Sequence, residues 1–192
     1  TVKIADDAVT EAKIADASVD EARLKISNSP TNGYALTAQS GNTGGLTWAA
    51  MSSGVSSDGS GNTVAGSNAG DSITGGASNS AFGKDALTAN TDGDNNTGIG
   101  LNALMTNTTG SRNTACGRVA LENNTTGSDN TAVGKDALEA NTTGDENVAV
   151  GSIALTANTT GEHNLAVGMN SLAANTTASN NTAVGHHAMI NN

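Results

Sequence analysis

Asn130-Thr131-Ala132-Val133-Gly134-Lys135-Asp136-Ala137-Leu138-Glu139-Ala140-Asn141-Thr142-Thr143-Gly144-Asp145-Glu146 is one period of a pattern that restarts as Asn147-Val148-Ala149-Val150-Gly151. Copies begin at Asn62, Asn79, Asn96, Asn113, Asn130, Asn147, Asn164 and Asn181, always seventeen residues apart and without an insertion. Spacing this regular marks an array in which each unit stacks on its neighbours. The consensus reads N-T-A-V-G-x-x-A-L-x-x-N-T-T-G-x-x, and positions in a coil are counted from its first Asn.

Apolar residues recur at position four (Phe82, Ile99, Val133, Val150, Val167, Val184) and position nine (Leu87, Leu104, Leu121, Leu138, Leu155, Leu172, Met189), and both columns are expected to face inward with Ala. Cys116 falls in the position-four column and reads as a small buried hydrophobe. Variation is concentrated at positions six, seven, ten, eleven, sixteen and seventeen, where Arg118, Lys135, Asp136, Glu139, Asp145, Glu146 and His163 stand, so these positions face solvent or a partner. Gly at positions five and fifteen is expected to supply positive φ at two turns, with Ala178 the one exception. Two turns per coil imply a flattened roll, because seventeen is not divisible by the six residues of a triangular helix's side.

Positions one to five read as a short strand, whereas A-L-x-x-N fits either a second strand or a single helical turn. At about 4.8 Å per stacked strand, eight coils extend roughly 38 Å. Asn at positions one and twelve would then form amide ladders from coil to coil, and the Thr rows at thirteen and fourteen would do the same. The first copy departs from consensus, with Gly70 in place of Leu and Ile73-Thr74-Gly75 in place of Asn-Thr-Thr. That departure suits a junction or cap, since an open solenoid end exposes unpaired strand edge.

Composition agrees with stacking and not with a globular core. Among 192 residues there are 24 Gly and a single Trp, Tyr and Phe, and the 35% hydrophobic share is mostly Ala and Val. A net charge of −10 makes nucleic acid an unsuitable partner. No apolar stretch is long enough to span a bilayer, so membrane insertion is not expected. The chain opens on Thr1, without a signal peptide or initiator Met, and closes at position twelve of a coil, as a segment of a longer polypeptide would.

Residues 1–26 carry a ten-residue repeat, Lys3-Ile4-Ala5-Asp6-Asp7-Ala8-Val9 recurring as Lys13-Ile14-Ala15-Asp16-Ala17-Ser18-Val19. Its larger apolar residues, Ile4, Val9, Ile14, Val19 and Leu24, fall every fifth position, which matches neither a strand nor a helix and suits a multi-chain shaft. The competing reading is a helix on the stripe Ala8, Ala12, Ala15, Val19, Ala22 and Ile26. Residues 27–49 read as a small β-hairpin module in which Tyr34 and Trp48 make a miniature core, and 50–61 as a Ser/Gly linker to the rod of 62–192.

The N-T-A-V-G-x-x-A-L units resemble the head repeats of trimeric autotransporter adhesins, over about two-thirds of the chain. That resemblance implies left-handed parallel β-rolls assembled as trimers, although the longer A-L-x-x-N-T-T-G insert departs from the family. The K-I-A-D-D-A-V repeats, and Asn32-Gly33-Tyr34-Ala35-Leu36-Thr37 followed by Gly44-Gly45-Leu46-Thr47-Trp48-Ala49, look like modules of bacteriophage tail fibres. This second resemblance implies a homotrimer located in the virion, other tail proteins as neighbours, and recognition of a glycan or protein on the host surface.

No cofactor, metal or catalytic site is expected. No Ser, His and acid grouping repeats, and no phosphate-binding loop appears. His186-His187 occupy the variable positions six and seven, and on a strand they would point to opposite faces. Asp92-Gly93-Asp94-Asn95-Asn96 has the composition of a calcium loop but lacks the bidentate Glu, and reads as a polar turn. Asn107, Asn124, Asn141, Asn158 and Asn175 match the glycosylation sequon, yet a structural ladder accounts for them. The expectation is therefore an all-β solenoid of seventeen-residue coils in an intertwined homotrimer, a non-enzymatic tail-fibre segment for host attachment. A bacterial surface adhesin or extracellular filament is the alternative, and an ice-binding solenoid with Thr rows is a third.

Overall fold

A computed structural model describes the strands β1 (Tyr34–Ala38) and β2 (Leu46–Ala50) and residues 55–191. The repeats of 1–26, with their helical alternative, and the side chains of Tyr34 and Trp48 lie outside the described residues. The chain divides into two units at Ala50. In the first, β1 and β2 pair antiparallel with Leu36 opposite Trp48.

The second unit is a single nine-stranded sheet. It starts with β3 (Ser56–Ser57) and continues with β4 (Thr63–Ala65), β5 (Ser80–Phe82), β6 (Thr97–Ile99), β7 (Thr114–Cys116), β8 (Thr131–Val133), β9 (Val148–Val150), β10 (Leu165–Val167) and β11 (Thr182–Val184). From β4 to β11 all pairings are parallel and in register, each residue facing the one seventeen later, as Ala132 faces Ala149. One seventeen-residue coil thus adds one layer to a β-solenoid, and the described residues contain no helix.

The interior is thinner than the sequence suggests. A three-residue strand sends its middle side chain to one face and its outer two to the other. Position three is the buried one: Ala81, Ala115, Ala132, Ala149 and Ala166 have no exposed surface. Position four, expected inside, faces out, with Phe82 37%, Ile99 43% and Val184 67% exposed, and Cys116 is exposed with it. Opposite the small residue lies the fully buried Leu of position nine, flanked by the Ala of position eight. The Leu fills the flattened coil, which leaves room for a methyl across from it and none for a Val.

The return path from position six to eleven is neither a strand nor a helical turn but a run of turns. Each of the first seven coils places four residues at positive φ, exemplified by Gly134 (133°), Asp136 (58°), Leu138 (51°) and Glu146 (54°). A left-handed conformation costs an L-residue roughly 1–2 kcal/mol, whereas full burial of a Leu is worth about 1.5–3 kcal/mol. Burial therefore holds Leu138 in this backbone. Stacking supports the turns as well, since the Asp136 amide donates to the Arg118 carbonyl at 3.0 Å and the Leu138 amide to the Ala154 carbonyl at 3.0 Å.

Position-fifteen Gly is small for a different reason than expected, because its φ is not positive. A Cβ on Gly127 would stand 2.5 Å from Asn124 Oδ1 and 2.6 Å from the Gly144 carbonyl oxygen of the next coil. Close approach excludes the side chain there. The carbonyls it admits are the hub of two amide ladders. Gly144 O accepts Asn130 Nδ2 at 2.8 Å and Asn141 Nδ2 at 3.0 Å. Asn130 Oδ1 in turn accepts the Asn147 amide at 3.0 Å, and Asn141 Nδ2 also donates to Asn124 Oδ1 at 2.9 Å. Of the two Thr rows, position thirteen joins the ladder, with Thr142 Oγ1 donating to the Thr159 carbonyl at 3.0 Å. Thr126, Thr143 and Thr160 at position fourteen are exposed instead.

Coil one forms an end. Val64 stands at the inward position three and Ile73 at position twelve, and a Cβ on Gly70 would stand 2.7 Å from Val64 Cγ1. The larger Val and Ile thus occupy space that Leu takes elsewhere. Strand β3 runs antiparallel along β4 and covers its edge.

Gly127→Ala is expected to lower stability by about 1–3 kcal/mol, the usual cost of overpacking. Ala178→Gly should change it little, because Ala178 is exposed. Denaturant midpoints of the two variants against the parent check both.

Candidate interaction surface

The outer face of the sheet carries positions two and four. Its position-four column runs Phe82, Ile99, Cys116, Val133, Val150, Val167 and Val184, and the in-register pairing places each directly over the last. Beside it at position two stand Ser80, Thr97, Thr114, Thr131, Val148, Leu165 and Thr182. None of these fourteen residues is charged, in a chain of net charge −10. Apolar bulk so aligned makes this column a candidate interaction surface.

The charged residues of the coils stand at other positions. On the edge that follows the strands, Asp136 is shared by Arg118 at 3.1 Å and Lys135 at 2.6 Å, and Lys84 lies 3.6 Å from Asp85. On the edge that precedes them, position seventeen stacks Arg112 on Asp129 as a two-pronged pair, Nε to Oδ1 at 2.6 Å and Nη2 to Oδ2 at 2.7 Å. The hydrogen bond from Arg112 holds the Asp129 carboxyl below its ordinary range, and the same bond raises the guanidinium. One coil further on, His163 Nε2 lies 3.4 Å from Glu146.

The residues singled out by the sequence fall into place separately. His186 and His187 follow β11 in a turn instead of lying within it, and their exposed rings touch edge to face at 3.9 Å between centroids. Asp94 Oδ1 accepts the Ala77 amide at 2.8 Å, and Asn96 belongs to the buried ladder. The sequon residues Asn107, Asn124, Asn141 and Asn158 are wholly buried with their amide groups engaged between coils. Among the described residues no three His, Cys, Asp or Glu side chains gather as they would around a metal ion. A small cleft of about 130 Å³ lies at the coil-one end, lined by Ser56, Ser57, Asp58, Asn62, Val64, Gly70 and Ile73.

Sequence reasoning missed the outward column because Ala and Val are adjacent and both apolar. Residue size carried the missing signal. From coil two onward position three is always Ala or Gly, as an enclosed site requires, while position four ranges from Cys to Phe. No protein-family model, curated protein or solved structure matches this chain. No helix among the described residues is long and apolar enough to cross a membrane.

Arg112→Ala is expected to cause a small loss of stability at neutral pH, since exposed pairs contribute little. Asp129 is depressed in the folded chain, so its contribution is present above the unfolded carboxylate value of about 3.9 and disappears as pH falls through the folded value. Thermal melts of parent and variant should therefore converge near about pH 2, and also in about 1 M salt.

Proposed function

We propose that this chain is a rigid, non-catalytic segment of a homotrimeric bacteriophage tail fibre, acting in attachment to a glycan or protein of the host surface. The observation that carries this reading is the uncharged apolar column on the outer sheet face. Half-exposed Val, Ile and Phe side chains gain roughly 1 kcal/mol each when covered, and the column repeats that gain at every layer. Two further copies offer the same repeat along the rod, so each layer meets its equivalents without a charge to desolvate. The charged edges stay in water and vary from coil to coil, as a recognition surface does. Three copies would present their weak sites together, and multivalency would raise the avidity for a surface array. The likeness of the N-T-A-V-G-x-x-A-L units to adhesin heads, and of the amino-terminal modules to tail fibres, supports the same assembly. A bacterial surface adhesin is the second reading, favoured by the same repeats; its full-length gene would encode an outer-membrane anchor.

Light scattering should return three times the 18.8 kDa chain mass. Val150→Asp, on an outward side chain, should give monomers with an unchanged β-sheet spectrum. Cys116 should react slowly with a maleimide in the assembled protein and rapidly in that variant. A monomeric parent would overturn the trimer. Thermal hysteresis by such a monomer would instead mark the Thr-bearing sheet face as ice-binding.

A further inference from the structure

We propose that Asp58 is an acid-sensitive end-cap of the asparagine ladder, which holds the first rung closed when ionised and releases the covered edge of β4 when protonated. Along the rod, a position-one Asn donates its backbone amide to the Oδ1 of the Asn one coil earlier, and Asn79, Asn130, Asn147, Asn164 and Asn181 donate Nδ2 to it as well. Asn79 does so to Asn62 at 2.8 and 3.0 Å, and Asn147 to Asn130 at 3.0 and 3.1 Å. Asn62 is the first of the series. Its two donors go to the carboxylate four residues upstream, the amide to Asp58 Oδ1 at 2.9 Å and Nδ2 to Asp58 Oδ2 at 2.8 Å. The Ser60 amide adds a third bond, to Oδ1 at 2.9 Å.

An ionised carboxylate is acceptor-only and suits three donors, whereas a protonated one turns an oxygen into a donor that faces N–H. The same loop ties β3 to the rod, with the Asp58 amide donating to the Asn62 carbonyl at 3.1 Å and Ser57 registered against Thr63. Loss of the Asp58 bonds therefore loosens the strand that covers the solenoid edge, and an uncovered edge is a template for pairing.

Among the described residues, the groups facing the carboxylate are Ser60 and Asn62, and the adjoining cleft adds Ser56, Ser57, Val64, Gly70 and Ile73, none of them charged. The hydrogen bonds from Asn62 hold the carboxyl below its ordinary value. The cap is thus present above the unfolded carboxylate value and lost as pH falls through the folded one. The inference rests on the ladder and not on the trimer.

Amide hydrogen exchange, corrected for intrinsic rates, tests it on the whole chain. Between neutral pH and about pH 2, well below the ordinary carboxylate value of about 3.9, peptides covering 56–66 should lose protection by about tenfold, the scale of losing a charge-assisted hydrogen bond. Peptides of coil five, 130–146, should not. Asp58→Asn, which places an amide donor against Asn62 as protonation does, should show the low protection at both pH values. The proposal fails if the parent's 56–66 peptides keep their protection in acid, if coil five loses it in step, or if Asp58→Asn retains the parent's pH dependence.

Discussion

The rest of this rod depends on one carbonyl per coil. The position-fifteen carbonyl, Gly144 O in coil five, accepts an amide from each of the two buried Asn columns and so ties both sides of the flattened coil together. Buried amides are costly unless every donor and acceptor is used. Here the neighbouring coil completes the set, and a layer is satisfied only when another lies on it. The absence of a Cβ at this position follows from that arrangement, because the carbonyl of the next coil occupies the space. Polar bonding thereby does work that aromatic side chains do in a globular core, which this composition lacks.

The apolar interior is correspondingly small: one Leu, the Ala beside it and the small residue of the strand. Filling it with a single Leu forces that residue into a left-handed backbone, which burial and inter-coil hydrogen bonds sustain. Val119 and Ile153, β-branched residues at positive φ, are held in the same way, their amides bonded to the previous coil at 2.9 Å. The consequence for the surface is direct. Since from β5 onward the interior accepts no more than a methyl from each strand, the larger apolar residue of those strands is left outside, and the apolar column arises from the same constraint that makes the coil thin.

A stacked array has to end somewhere, and each end is a set of unmatched ladder groups. At coil one a carboxylate and an antiparallel strand supply what a preceding coil would. In the position-twelve column, each Asn Oδ1 from Asn90 to Asn158 accepts from the Asn seventeen residues on. Ladder chemistry thus carries direction as well as stability, because donors point back along the chain and acceptors forward.

Much of this was legible in the residues alone. The seventeen-residue spacing determined the stacking, since only one-coil-per-layer geometry brings identical residues together without insertions. Asn at positions one and twelve determined the ladders, because a repeated amide can pair with its own copy. The capping role of coil one was equally visible in Gly70 and Ile73. Tertiary structure decided which of two adjacent apolar residues, Ala132 or Val133, turns inward, since strand alternation fixes a parity but not its sign and only the uniformly small residues of position three hinted at it. It also decided that A-L-x-x-N is a run of left-handed turns and that position-fifteen Gly serves close approach and not positive φ. Those outcomes depend on the space left by the neighbouring coil, a distance that no single period of sequence contains.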